Sequence, residues 1–231
     1  MTPRTVIPRE VPTDTVWSAL NGVDAPFAQR SGDAVRYRPD VAAFAAIDGP
    51  MRPSLLSDLA SLASRDHPVA LIDAGVLPGW TTVASIRGFQ MSGAASTAAP
   101  LGGSGVVALS KDDVADMMEL AALTRPGPFL TGTVELGGYV GVRENGRLVA
   151  MAGERMHPTG CVEISAVCTH PDARGRGLGA LMVLTVAAGI RARGATPFLH
   201  VIETNVNAIR LYEALGFRVR RSITIDVVHP E

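Results

Sequence analysis

Val162-Glu163-Ile164-Ser165-Ala166-Val167-Cys168-Thr169-His170-Pro171-Asp172-Ala173-Arg174-Gly175-Arg176-Gly177-Leu178-Gly179-Ala180 leads from a strand-like run, through a basic glycine-rich loop, into an apolar run that continues to Ile190. Its first six residues alternate and are rich in β-branched side chains, the pattern of a half-buried strand. The apolar run is broken mainly by Thr185 and Gly189 and reads as a helix. A loop of this kind leaves backbone N–H groups unpaired at a helix start, where the macrodipole favours anions, and its glycines let a ligand approach the backbone. Arg174 and Arg176 add positive charge.

Gly175-x-Gly177-x-x-Ala180 also satisfies the relaxed dinucleotide fingerprint, which would make the chain a nicotinamide oxidoreductase. The context argues otherwise. In a dinucleotide fold the first glycine leaves the strand directly and several βα units follow. Here Pro171-Asp172-Ala173 intervenes, and one more strand-helix pair remains. That pair is Pro197-Phe198-Leu199-His200-Val201-Ile202 and then Asn205-Val206-Asn207-Ala208-Ile209-Arg210-Leu211-Tyr212-Glu213-Ala214-Leu215-Gly216-Phe217.

Together the two stretches resemble the GNAT superfamily of acetyl-CoA-dependent N-acetyltransferases, and within it the FR47-like branch, whose members carry an extra N-terminal region. Arg174, Gly177 and Gly179 match the signature Arg/Gln-x-x-Gly-x-Gly/Ala. Asn205, Ala208, Leu211, Tyr212, Glu213, Gly216 and Phe217 match a second signature, Asn-x-x-Ala-x-x-Leu-Tyr-Glu-x-x-Gly-Phe. Two signatures in order, with a strand between them, are far more specific than either alone. The resemblance covers residues 105–231.

The resemblance implies an α/β (α+β) acyl-CoA N-acyltransferase fold, a mixed central sheet flanked by helices in which two central parallel strands splay apart to admit the pantetheine arm. It implies transfer of acetyl from acetyl-CoA, a cosubstrate, to a primary amine of a small molecule or protein, by direct attack through a tetrahedral intermediate. Backbone groups of Val167, Cys168 and Thr169 would meet the thioester and pantetheine. Arg174, Gly175, Arg176, Gly177, Leu178, Gly179 and Ala180 would hold the pyrophosphate. Asn205 would bond the coenzyme, and the Tyr212 phenol would protonate the departing thiolate. Thr124 to Phe129 falls in the connection that shapes the acceptor pocket in the family. A noncatalytic CoA-binding or regulatory module with the same fold is the alternative.

Acyl transfer needs a neutral amine, yet a lysine-type amine has a pKa near ~10.4. A base is therefore required, and two residues compete. Glu163 lies eleven residues before Arg174, where histone-acetyltransferase relatives place their glutamate. His200 lies five residues before Asn205, where ribosomal-protein N-terminal acetyltransferase relatives place theirs, and an imidazole pKa near ~6.5 suits base work at neutral pH. Each residue also has a plain structural reading: a hydrogen-bonded strand glutamate, a satisfied strand histidine, a packing aromatic at Tyr212 and a helix cap at Asn205.

A net charge of -1 argues against a nucleic-acid partner, since such domains show a basic excess. The two cysteines, Cys161 and Cys168, lie on one predicted strand and face opposite ways, so no disulfide joins them. No CxxC or His-x-x-x-His spacing occurs, so no metal is expected. The N-terminus lacks the apolar core of a signal peptide, and the longest apolar run falls short of the ~20 residues that span a bilayer. A cytoplasmic protein without membrane partners is expected.

Residues 93–104, small and uncharged, read as a flexible linker. It would separate an α+β region, 1–92, from an acetyltransferase domain, 105–231. The element order of the first region is compatible with a degenerate copy of the second. Its helices are predicted over 15–21 and 53–63 and its strands within 34–47, 69–72 and 81–91. In the second half Ser110-x-x-Asp113 opens a helix to Leu123, and Asn145-Gly146 marks a hairpin.

Overall fold

A computed structural model describes residues 10–93 and 105–231. All but one residue of the expected linker therefore lie outside the described residues. Helix α1 (Thr15–Leu20) precedes a small antiparallel sheet of β1 (Ala28–Ser31), β2 (Ala34–Tyr37) and β3 (Ala45–Ile47). Helix α2 (Pro53–Leu62), β4 (Val69–Ile72) and the long β5 (Trp80–Ser92) complete the first part. Then come β6 (Val106–Ala108), α3 (Val114–Thr124), β7 (Val140–Glu144), β8 (Arg147–Glu154), β9 (Cys161–Thr169), α4 (Leu178–Ala192), β10 (Thr196–Ile202), α5 (Val206–Ala214) and β11 (Arg218–Pro230).

Local chemistry accounts for most boundaries. Asn145 (φ 51°) and Gly146 (φ 82°) both take positive φ, as a two-residue hairpin matching strand twist demands. The Ser110–Asp113 capping box is present, but it starts a 3-10 turn over Lys111–Asp113, and α3 begins one residue later. Arg125 ends α3 in the left-handed conformation (φ 50°), just ahead of Pro126, which cannot continue a helix.

The main sheet has eight strands in the order β4-β11-β5-β10-β9-β8-β7-β6. Here the two parts of the sequence interleave. β5 lies between β10 and β11, antiparallel to both: Gly88 to Ser92 pair with Ile202 to Phe198, and Trp80 to Ser92 pair with Pro230 to Arg218. Gly88 is needed at that seam, because a Cβ there would stand 2.5 Å from the carbonyl oxygen of Val201. The residues before and after 93–104 thus share one sheet, and the border expected from composition runs through a continuous hydrogen-bonded surface.

Both faces of the sheet are covered. On one, Met182, Val183, Val186 and Ile190 of α4 pack on Val162, Ile164, Leu199 and Val201, with Tyr212 and Phe217 in the same cluster. On the other, Val16, Leu20, Tyr37 and Phe44 of the first part pack on Met156, Cys161 and Phe198. Beside them Met117 and Leu120 of α3 meet Tyr139, Met151, Ala166 and Cys168.

A largely buried polar chain links the first part of the sequence to the end of β8 and on to Arg193 at the end of α4. The Tyr37 hydroxyl donates to Asp24 (2.6 Å), which also accepts the His157 backbone N–H (3.0 Å) and lies 2.7 Å from Nδ1 of His157. Nε2 of His157 is 3.1 Å from Glu154, which pairs with Arg193 at 2.5 Å. Burial by itself lowers the imidazole pKa, but the bonds to Asp24 and Glu154 outweigh it and lift the value from 6.5 to about 9. A folded-state pKa raised above the unfolded one stabilises fully below the unfolded value and ceases to as pH rises through the folded value. Stability is therefore expected to hold up to about pH 6.5 and then to fall by about 3 kcal/mol through pH 9. Urea unfolding at a series of pH values checks this, and His157→Gln should remove the step.

Candidate active site

β9 and β10 are parallel neighbours, but they pair only at Cys161/Thr196, Val162/Pro197 and Glu163/Phe198. Past that point β10 stays with β5 to Ile202 and β9 stays with β8 to Thr169, so the two strands part. The cause lies in β9. Between the pairs Met151/Cys168 and Gly153/Ser165 it carries one extra residue, and Ala166 sits at φ 54°. Such a bulge bends its strand and increases the local twist. The facing edges from Ile164 to Thr169 and from Leu199 to Ile202 are left without ladder pairing, a slot through the middle of the sheet.

The separated end of β9 runs straight into the glycine-rich loop. A 3-10 turn over Pro171–Ala173 is held by Nδ1 of His170, which accepts the N–H of Asp172 at 3.2 Å. Gly175 (φ 74°) and Gly177 (φ 77°) take the left-handed conformation, and a Cβ at either would point into open space. Gly177 is the N-cap of the fifteen-residue α4. Among the described residues no protein acceptor meets the N–H groups of Gly175, Arg176 or Gly177. These are the features of an anion cradle.

The loop arginines are exposed. Nε of Arg174 reaches the carbonyl of Thr169 at 3.4 Å, while Arg176 forks onto Glu144 at 3.0 and 2.5 Å. An exposed pair of that kind contributes about 0–1 kcal/mol, so Arg176 is held to Glu144 only weakly. Gly179 differs from the other loop glycines: it packs toward Leu211 and Thr169 with room for a methyl group. Leu178 and Ala180 are half-buried in the first turn of α4. Asn205 caps α5, its Oδ1 accepting the Ala208 N–H at 3.2 Å, which leaves the amide nitrogen to point elsewhere.

Glu163 and His200, competitors in the sequence, are partners here. Nδ1 of His200 lies 2.9 Å from Oε1 of Glu163, on the face away from α4. Arg155 grips the same carboxylate with both Nε (2.9 Å) and Nη2, and its guanidinium lies over the Phe44 ring at 4.8 Å. Burial would raise the Glu163 pKa, but the Arg155 charge and the hydrogen bonds from Arg155 and His200 win and hold it at about 2. Nε2 of His200 is 3.2 Å from the side-chain nitrogen of Gln90 on β5, so the first part of the chain supplies a group to this cluster. Neither Arg155 nor Gln90 figures among the residues singled out in the sequence. Their signal was a polar side chain in an apolar strand context, which hydrophobic patterning alone does not rank.

Tyr212 lies on the opposite face, against α4, with its ring edge-on to Phe217 at 6.2 Å. Its hydroxyl bonds to no protein group among the described residues. Burial, with a further contribution from the Cys168 thiol, pushes its pKa up to about 12. Cys168 is itself raised to about 11, by burial against weaker opposing hydrogen bonds from Thr124 and Met151. It remains a thiol at neutral pH, so it packs in the core and carries no nucleophilic charge. Among the described residues no group of three or more His, Cys, Asp or Glu side chains is placed to hold a metal ion. No helix among them is long and apolar enough to cross a membrane.

Parted parallel strands that open onto a glycine-rich helix start, in a mixed sheet, define an α/β fold distinct from the dinucleotide-binding one. Comparison with known proteins narrows the class. The chain belongs to the GNAT family of acetyltransferases: a GNAT-family protein from Novosphingobium aromaticivorans is 39% identical over 94% of this chain and 97% of its own, with a TM-score of 0.84. Residues 139–224 match the FR47-like protein family. A mycothiol acetyltransferase from Thermomonospora curvata is 39% identical over 74 residues, 32% of this chain and 25% of that protein. One from Thermobispora bispora is 41% identical over 68 residues, so the match spans about a quarter of the length of these relatives. A GCN5-related N-acetyltransferase from Kribbella flavida shares the fold at 20% identity, with a TM-score of 0.63 over 96% of this chain.

Proposed function

We propose that the protein transfers acetyl from acetyl-CoA to a primary amine. The observation that carries this reading is the continuity of slot and cradle: one ligand can lay a pyrophosphate on the N–H groups of Gly175 to Gly177 and thread a narrow arm between β9 and β10. The open space at both positive-φ glycines fits such a group, since a side chain there would stand where the phosphates lie. The coenzyme supplies an acyl carbon activated as a thioester, and the protein has to bring a neutral amine to it.

In this reading Glu163 and His200 act as one unit. A carboxylate held at about 2 is charged throughout the neutral range and is a weak proton acceptor. Its role is to fix the imidazole through Nδ1, while His200 takes the proton from the amine at Nε2, where the substrate displaces the Gln90 amide that holds this nitrogen in the structure. Tyr212 donates a hydrogen bond to the sulfur on the other face as negative charge develops there.

The test is thiol release from acetyl-CoA with a panel of primary amines: glucosamine, putrescine, glycinamide and an alanyl tripeptide. Amine-dependent release supports the proposal. Binding of acetyl-CoA without release by any amine would favour the noncatalytic module, and stabilisation by NAD in place of acetyl-CoA would overturn the coenzyme assignment.

A further inference from the structure

Tyr139 enters β7 behind Gly137 and Gly138, and its carbonyl accepts the Leu109 N–H at 2.9 Å, which anchors the backbone. Its ring lies against β8 at Gly153. A Cβ on Gly153 would stand 2.4 Å from two of the ring carbons, so only glycine lets the ring lie so close to the strand. Phe129 meets the ring edge-on at 5.6 Å. Gly153 is the register partner of Ser165, the residue before the β9 bulge, and Tyr139 shares its cluster with Ala166 and Cys168. The ring is thus laid over β8 beside the bulge of β9 that opens the slot, on the face that carries Glu163.

At the end of this well-anchored ring is a hydroxyl with no hydrogen-bond partner, although the residue is only 3% exposed. Buried phenols almost always find a partner, and a desolvated hydroxyl without one weakens the fold. The nearby charges do not account for it, because Arg155 and Glu163 are bonded to each other. Burial keeps the phenol neutral by pushing its pKa well above the ordinary value. Tyr212 and Tyr139 both lie within electrostatic reach of Cys168 and belong to the clusters on opposite faces of the sheet.

We propose that Tyr139 is a substrate contact on the acceptor side, its hydroxyl oxygen accepting an N–H of the attacking amine. This rests on the acetyltransferase reading. A neutral amine that keeps its lone pair for the acyl carbon needs acceptors for its N–H bonds, and the free lone pairs of a phenol oxygen provide one. One tyrosine then attends the leaving sulfur and the other the incoming nitrogen.

The experiment compares the full chain with Tyr139→Phe, using whichever panel amine gives the wild type its highest kcat/KM. The substitution should raise the KM for that amine about tenfold and leave the KM for acetyl-CoA unchanged. It should also melt at or above the wild type, by roughly 2–4 °C, because it removes a desolvated hydroxyl that bonds to nothing in the protein. An unchanged amine KM overturns the proposal, and so does a lowered melting temperature, which would reveal a structural hydrogen bond. If the wild type releases no thiol with any amine, the parent reading fails and this one with it. Release by the wild type with unaltered Tyr139→Phe kinetics overturns this one alone.

Discussion

Tyr212→Phe should lower turnover by roughly 10²–10⁴-fold while leaving acetyl-CoA affinity intact. The ring packs in the α4 cluster and against Phe217, and phenylalanine preserves both contacts, so the fold and the slot are expected to survive. What disappears is the hydroxyl donor. With its pKa at about 12 the phenol is protonated throughout the working range, so its contribution should be independent of pH and the variant should keep the wild-type profile at reduced height. Turnover at the wild-type level would remove Tyr212 from the mechanism. On the other face, His200→Gln leaves the Arg155–Glu163 pair in place and should lower the rate while leaving acetyl-CoA affinity intact. Glu163→Gln should also slow the reaction, but it strands the Arg155 charge in the core and should cost about 3–5 kcal/mol of stability, so its kinetics need a melting curve beside them.

Gly177→Trp should abolish acetyl-CoA binding. A ligand present at 100 times its dissociation constant stabilises a protein by roughly 2.7 kcal/mol, which thermal melting reads readily. At Gly177 the backbone is at φ 77° and a Cβ points into open space, so the indole would fill the cradle rather than the core. The variant should melt slightly below the wild type, by roughly the 1 kcal/mol that an L-residue costs in this conformation, and show no shift with acetyl-CoA. Gly179→Ala is the matched control, since that position has room for a methyl group and should keep the shift. A full shift in Gly177→Trp would mean that the pyrophosphate lies elsewhere.

Local sequence determined the loop, the hairpin and the helix ends, because each depends on a backbone conformation that a few residues specify by themselves. Gly175 and Gly177 take positive φ, Asn145-Gly146 turns a hairpin and Asn205 bonds the third N–H of its own helix. The order of strands and helices after residue 105 follows from the same periodicities. What lay beyond the sequence was every decision about which edge pairs with which. β5 was legible as a strand, but a strand pattern carries no record of its neighbours, and only the assembled sheet places it between β10 and β11. The strand faces of Glu163 and His200 could be read one at a time, whereas their bond, the Arg155 clamp and the Gln90 contact depend on the register of three strands. The bulge at Ala166 likewise arises from the match between β8 and β9, and it opens the slot that brings the locally encoded loop into line with a site assembled from distant residues.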